Sequence, residues 1–373
     1  MRKGERWIFF KNAPKLAWDI VACGRYDFNF DLIPDKLTHM PLAKRVNMLK
    51  ASLNLIYRRL DPWSWPMHMQ IELTNYCNLA CSVCPTGTRL LERKPKAMDA
   101  ALFERLFNEV SPYLITTSLW GWGEPLLHPQ LSDILRLAHN RGVVTLLSTN
   151  GQNLNDVKVQ KALTDYPPTH LIVALDGITD ETNSKFRIGA KIAPALEGIR
   201  QLAKIKAEKN LELPSLHLRF IIMKHNEHEL PQLREFATRN KFEVLTTRTL
   251  SVIDAPDTPH QELLPDNENY RAYAYNDNKR VIRSDFICQM GFTFPTVFAD
   301  GTVVSCDQDF NAGHAYGSMA DGRSFASIWR GNKASEVRRV IRDNPGNFSS
   351  CRECPFRDRP ISTCSIQYYD LKK

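Results

Sequence analysis

Three cysteines fall within eight residues, Cys77, Cys81 and Cys84 in the stretch "CNLACSVC". Thiolates bind soft metal ions, and a Cys-x3-Cys-x2-Cys spacing is too tight for three unrelated structural cysteines. A closed tetrahedral zinc site needs a fourth ligand, yet neither His nor Cys follows until His128. An iron–sulfur cluster held by three thiolates keeps one iron free for another molecule. The cluster is the favoured reading here, with zinc and a purely structural role as alternatives.

A second group, Cys288, Cys306, Cys351 and Cys354, forms Cys-x17-Cys-x44-Cys-x2-Cys. Four thiolates make a complete set that asks for no outside ligand. This set suits a structural zinc or a fully ligated cluster. Cys23 reads as a buried apolar residue and Cys364 as a free thiol.

Such loops need elements to hold them. Short apolar runs predict strands near 69–74, 115–120, 143–148, 170–175, 215–222 and 242–247. Helical periodicity falls near 99–110, 130–141, 156–165, 194–209 and 228–240. Strand and helix in alternation imply parallel strands with right-handed crossovers. Six units are too few for a closed eight-unit barrel and predict a partial, open (β/α)6 barrel of the α/β class. Its chemistry is expected at the C-terminal strand ends, where the three-cysteine loop falls.

Four parts are expected along the 373 residues: an extension over 1–66, the barrel over 67–250, a polar connector over 251–280 and a Cys- and Gly-rich region over 281–373. The extension holds 12 Lys/Arg against 6 Asp/Glu, so it carries +6 of the net +8. Within it, Leu42, Val46, Leu49, Leu53, Ile56 and Leu60 recur at helical spacing, which predicts an amphipathic helix. Three roles compete for this part. The favoured one is a helical cap packed on the barrel through that stripe; peripheral membrane docking and binding of an anionic substrate are the others. Nucleic acid is disfavoured because no recognition motif appears. No secretory signal and no run of eighteen apolar residues is seen, so a cytoplasmic location is expected, where disulfides are rare.

With the cysteine loop placed after the first strand of a partial barrel, the chain resembles the radical S-adenosylmethionine (radical SAM) superfamily. "LWGWGEPLLHP" after the second strand resembles that family's Gly-Gly-Glu-Pro motif: Gly123, Glu124 and Pro125 match, and Trp122 replaces the first glycine. "STNGQNL" follows the third strand with Ser148 and Asn150, and "IVALDG" ends the fourth at Asp176. The resemblance implies a [4Fe–4S] cluster on Cys77, Cys81 and Cys84. It also implies S-adenosylmethionine contacts from Gly123, Glu124, Ser148, Asn150 and Asp176. One electron then cleaves the sulfonium to a 5′-deoxyadenosyl radical, which takes hydrogen from the substrate. Val83 stands where the family often has an aromatic residue. Arg187 reads first as a solvated helix-end arginine and second as a partner for the methionine carboxylate. Asp176, His217 and Arg219, with His225 and Glu227 after them, are unranked candidates for the base.

The "DGTVVSCDQDF" stretch and the second cysteine spacing resemble the twitch or SPASM domain that follows many such barrels. This implies one auxiliary [4Fe–4S] cluster on Cys288, Cys306, Cys351 and Cys354, able to accept an electron from a substrate radical. Net oxidation or radical rearrangement of a sugar, cyclitol or nucleotide-linked substrate is the expectation. The alternatives are peptide maturation and lipid modification, and, outside the class, a zinc-stabilised binding module. An external electron donor such as flavodoxin or ferredoxin is implied.

Overall fold

The computed structural model describes residues 14–251, 260–276, 279–280, 287–352, 354 and 364–372. The connector expected over 251–280 therefore lies partly outside the described residues. The chain opens on an antiparallel hairpin, β1 (Tyr26–Phe30) and β2 (Ile33–Leu37). Six parallel strands follow in chain order: β3 (His68–Ile71), β4 (Thr116–Ser118), β5 (Val144–Thr149), β6 (His170–Ala174), β7 (Ser215–Ile222) and β8 (Val244–Thr249). This is the expected partial barrel. Side chains alternate across each strand. Leu147, Leu171, Val173, Leu218 and Phe220 pack outward with helix residues such as Leu163, Ile199 and Phe236. Val144, Leu146 and Ile172 turn inward.

The crossover helices start where local chemistry caps them. Asp99 accepts Ala101 N and Leu102 N at the head of Ala100–Val110, and Asp156 accepts Lys158 N and Val159 N before Val157–Asp165. Each cap satisfies donors that a helix start leaves unpaired. A further short helix, Asp180–Phe186, begins at a capping box between Thr179 and Thr182. It is too short to show a period and was not expected.

The Cys-rich region is more regular than its weak periodicity implies, and it is continuous with the barrel. After a small ladder of β9 (Tyr275–Asn276) with β10 (Lys279–Arg280), β11 (Thr296–Val297) pairs parallel to β3. β12 (Thr302–Val304) and β13 (Gly317–Ser318) extend the sheet outward in antiparallel fashion. The β11–β12 turn is an Asp-Gly turn, with Gly301 at φ 87°, a conformation glycine adopts without strain. At the opposite edge, β14 (Ser365–Asp370) pairs antiparallel to β8. One ten-stranded sheet results, and both edges of the partial barrel are paired. The helix Asn332–Asp343 buries Arg338, whose guanidinium donates to the carbonyls of Gly291, Leu60 and Trp329.

The first 66 residues depart from expectation in two ways. The hairpin β1–β2 enters the barrel lumen, where Phe28, Phe30 and Ile33 pack on Val144, Leu146 and Ile172. Its two-residue turn puts Asp31 and Leu32 at φ 55° and 65°, as a type I′ turn requires. The helix Leu42–Tyr57 forms as expected and packs on the protein, with Met48 against Ile115, but packing through the expected apolar stripe is overturned. Its buried residues are Lys44, Asn47, Met48, Ala51 and Asn54, while Leu42, Val46, Leu49, Leu53 and Ile56 are exposed. No described helix is long and apolar enough to cross a membrane.

Candidate functional site

Cys77, Cys81 and Cys84 lie on the loop after β3, none in a disulfide and each partly buried. The loop is pinned from two sides. Ala80 N donates to Ile188 O at 3.0 Å and Ser82 N to Phe186 O at 3.3 Å. Gly87 fits because a Cβ there would stand 2.4 Å from the Cys81 carbonyl oxygen. Cys77 Sγ accepts from Leu79 N at 3.4 Å and from Asn150 Nδ2 at 3.6 Å. Burial pushes the Cys77 thiol up and the Cys81 thiol up to about 12. Their thiolate forms therefore need a nearby positive charge, which a metal centre supplies.

The loops after β4 and β5 join this one. Glu124 is buried, and its carboxylate accepts from Thr149 Oγ1 at 2.6 Å, Asn150 N at 2.8 Å and Leu126 N at 3.0 Å. Burial raises its pKa against those bonds. Gly123 has no alternative, since a Cβ there would meet the Thr74 carbonyl oxygen at 2.3 Å. Asn150 also donates to Asn78 Oδ1 at 2.8 Å. Glu124, Asn150 and the cysteine loop thus form one bonded unit. Ser148 lies on β5 next to Thr149, partly exposed. Thr149 and Asn78 were not singled out in the sequence; each neighbours a motif residue, which was the available signal.

Arg187 overturns the solvated reading. It is mostly buried, its side chain 12% exposed, with its Nε 2.7 Å from Asp176 Oδ2, and Cys81 lies within its electrostatic reach. Asp176 also accepts Ile221 N at 2.7 Å. Burial pushes its carboxyl up while Arg187 opposes the shift, and Asp176 holds the guanidinium charged.

His217 and Arg219 project from β7 toward the hairpin in the lumen. His217 Nε2 lies 3.0 Å from His170 Nδ1, and His170 Nε2 lies 2.7 Å from Asp35 Oδ2. Burial holds His217 well below its ordinary range, hence neutral. Arg219 and Arg248 face Asp31 at 3.1 and 3.4 Å. Both candidates thus anchor the hairpin. Glu227 accepts from Asp266 N and Asn267 N at the surface, and His225 is partly buried, its pKa lowered.

The second cysteine group is also brought together. Cys306 lies close enough to Cys288 and Cys354 for their charges to interact, and Cys351 close enough to Cys288 and Cys354. Burial pushes up Cys288 and Cys306, and Cys351 to about 12. No three His, Cys, Asp or Glu side chains among the described residues converge as ligands of a single metal ion would. A cubane cluster binds each thiolate to a different iron, so it does not require that convergence.

A buried ion pair ties the two sites together. Glu72 and Arg93 meet in two contacts of 2.7 and 2.8 Å, with Glu72 fully buried. Glu72 also accepts Trp122 N and Ala299 N, both at 3.1 Å, and Arg93 Nε donates to Phe310 O at 2.6 Å. The indole of Trp122, the residue that departs from the glycine motif, donates to Asp307 O at 2.8 Å, next to Cys306. Glu72 had an inward-facing strand position as its signal; Arg93 had none. Replacing Arg93 with Met leaves a buried carboxylate without its partner. The expected cost is about 3–5 kcal/mol, measured by anaerobic denaturant unfolding.

Comparison with known proteins agrees with this geometry. Residues 71–237 match the radical SAM superfamily model, and residues 288–355 match the SPASM model, an iron–sulfur cluster-binding domain. The chain is a radical SAM protein with a SPASM domain. Its cofactors are accordingly S-adenosylmethionine and [4Fe–4S] clusters, and the thiols described above fit such clusters in number and setting. This radical SAM protein is 23% identical over 324 residues to a tungsten-containing aldehyde ferredoxin oxidoreductase cofactor-modifying protein of Pyrococcus furiosus, covering 78% of this chain and 88% of that protein. It is 30% identical over 172 residues to the PqqA peptide cyclase of Ruegeria pomeroyi, covering 46% of this chain and 44% of the cyclase. Over that match it spans less than half of the relative. The fold is shared with Streptococcus suis SuiB, solved bound to S-adenosylmethionine, at a TM-score of 0.59 and 14% identity over 83% of this chain and 76% of SuiB.

Proposed function

We propose that this radical SAM protein is a peptide maturase. It cleaves S-adenosylmethionine reductively and uses the resulting radical to take hydrogen from a peptide, with net oxidation or radical bond formation as the outcome. The chemistry rests on one observation: Cys77, Glu124 and Asn150 belong to a single hydrogen-bonded unit at the C-terminal ends of β3, β4 and β5. Cys77, Cys81 and Cys84 are assigned to the cluster that binds S-adenosylmethionine, with Gly123, Glu124, Ser148, Asn150, Asp176 and Arg187 around that cofactor. When bound, the cofactor pair supplies an electron-triggered carbon radical. The protein's part is to fix the ligand's polar groups and keep water away. Cys288, Cys306, Cys351 and Cys354 are assigned to one auxiliary cluster. The parts are read as an extension over 1–66, a barrel over 67–250, a connector over 251–280 and a cluster domain over 281–373.

The substrate reading moves from a sugar or cyclitol to a peptide. PqqA cyclase acts on a peptide by its name, and SuiB, whose fold this chain shares, has been solved with its precursor peptide SuiA. An external one-electron donor of the flavodoxin or ferredoxin kind and a cytoplasmic location complete the proposal; nine cysteines outside any disulfide support the latter.

The test is anaerobic incubation of reconstituted protein with reductant, S-adenosylmethionine and fractionated extract from the source cells. The expected result is a mass change in a peptide, formed together with 5′-deoxyadenosine. A modified small molecule alongside unchanged peptides would return the reading to sugar or cyclitol chemistry.

A further inference from the structure

The helix Leu42–Tyr57 is mounted inside out. Its polar residues are its anchors. Lys44 Nζ donates to Gly142 O, and Asn54 Nδ2 to Phe292 O at 3.3 Å. Asn47 donates to Trp65 O and accepts Trp65 N at 2.8 Å. These bonds reach three separate parts of the protein and fix which face looks out. That face carries Leu42, Val46, Leu49, Leu53, Ile56 and Tyr57, with Leu42 69% and Tyr57 67% exposed. Fifteen large hydrophobic side chains are exposed among the described residues, and ten of them fall between Leu16 and Trp63. Single exposed apolar residues need no explanation, but a contiguous apolar face marks a binding surface.

We propose that this face docks the protein on the surface of an anionic phospholipid bilayer. Charge selects the occupant. From Pro41 to Leu60 there are five Lys/Arg and no Asp/Glu. Lys50 stands exposed beside the apolar row, and Arg45 and Arg59 are partly exposed. A second copy of this chain would set these cations against one another, whereas anionic lipid headgroups complement them. Aromatic residues belong at such an interface, and Trp18 (67% exposed) and Trp63 (48%) stand on the segments before and after the helix. Arg45 Nη1 donates to Val21 O, which ties the Trp18 segment to the helix. The Arg59 guanidinium covers the Trp63 ring at 3.8 Å. At 16 residues the helix is about 24 Å long, so it lies along the surface. The inference does not depend on the substrate reading.

Flotation of the reconstituted full chain with lipid vesicles tests it. Wild type is expected to float with phosphatidylcholine–phosphatidylglycerol vesicles, more weakly at high salt, and poorly with phosphatidylcholine alone. The double variant L49E/L53E should bind at least about tenfold more weakly, with iron content and circular dichroism unchanged. Wild type that stays unbound with both vesicle types overturns the proposal, as does a double variant that floats equally well. A wild-type dimer that the double variant dissociates, without flotation of either, assigns the face to a second copy and likewise overturns it. Because these side chains face solvent, L42S/L53S offers a milder second variant should L49E/L53E fold poorly.

Discussion

Cys81→Ala is expected to reduce 5′-deoxyadenosine formation to background while leaving the SPASM region loaded. The loop around Cys81 is held by backbone bonds to Phe186 O and Ile188 O, which do not involve the thiol, so the fold should survive. Two cubane clusters hold about eight irons and one holds about four, so iron content should fall by about half. Electron paramagnetic resonance of the dithionite-reduced variant should then show a signal unaltered by S-adenosylmethionine, because a fully ligated cluster has no open iron. A variant that still forms deoxyadenosine would remove Cys81 from the ligand set. One that loses all its iron would mean that the two centres assemble together.

The opposite pattern is expected of Cys306→Ala. Its partly buried thiol lies beside Asp307 and near Cys288 and Cys354, far along the chain from the motif loops. S-adenosylmethionine cleavage should persist, again with about half the iron, while modified product falls by about ten- to a hundredfold, on the scale at which metal-site support affects activity. Deoxyadenosine formed without product separates radical generation from completion of the reaction. Product formed at the wild-type rate would limit the second centre to a structural role. Trp122, bonded to Asp307 O, would transmit any distortion toward Glu124, so the Cys306→Ala data should be read beside its S-adenosylmethionine affinity.

Much of this was readable in advance because it depends on local patterns. Strand–helix alternation marked all six barrel strands, and motif loops recur one per strand end, so Cys77, Glu124 and Asn150 could be placed together before their bonds were seen. What stayed hidden was long-range. Nothing near Arg93 marks it as the partner of Glu72, 21 residues earlier. The pairing of β14 with β8 joins segments more than a hundred residues apart, and a short strand at that distance carries no local sign of its partner. The hairpin in the lumen was missed for a related reason. Residues 26–30, Tyr-Asp-Phe-Asn-Phe, do alternate apolar with polar as a half-buried strand does, but their burial is supplied by Val144 and Ile172, not by neighbours in sequence, so nothing local places them in the barrel. The helix Leu42–Tyr57 failed differently. Its period was right, but the rule that an apolar stripe faces inward lost to three side-chain anchors, Lys44, Asn47 and Asn54, on the other face.

The shared sheet bears on how the two centres communicate. Thr296 and Val297 sit in register with Gln70 and Ile71, immediately before the loop that bears Cys77. A cluster domain on a flexible tether would have to swing in and align before each exchange. Here strands of one sheet lead into both the Cys77 loop and the Cys306 loop, so these two cysteine loops are held on a common backbone and need no swing of a tethered domain to come near each other.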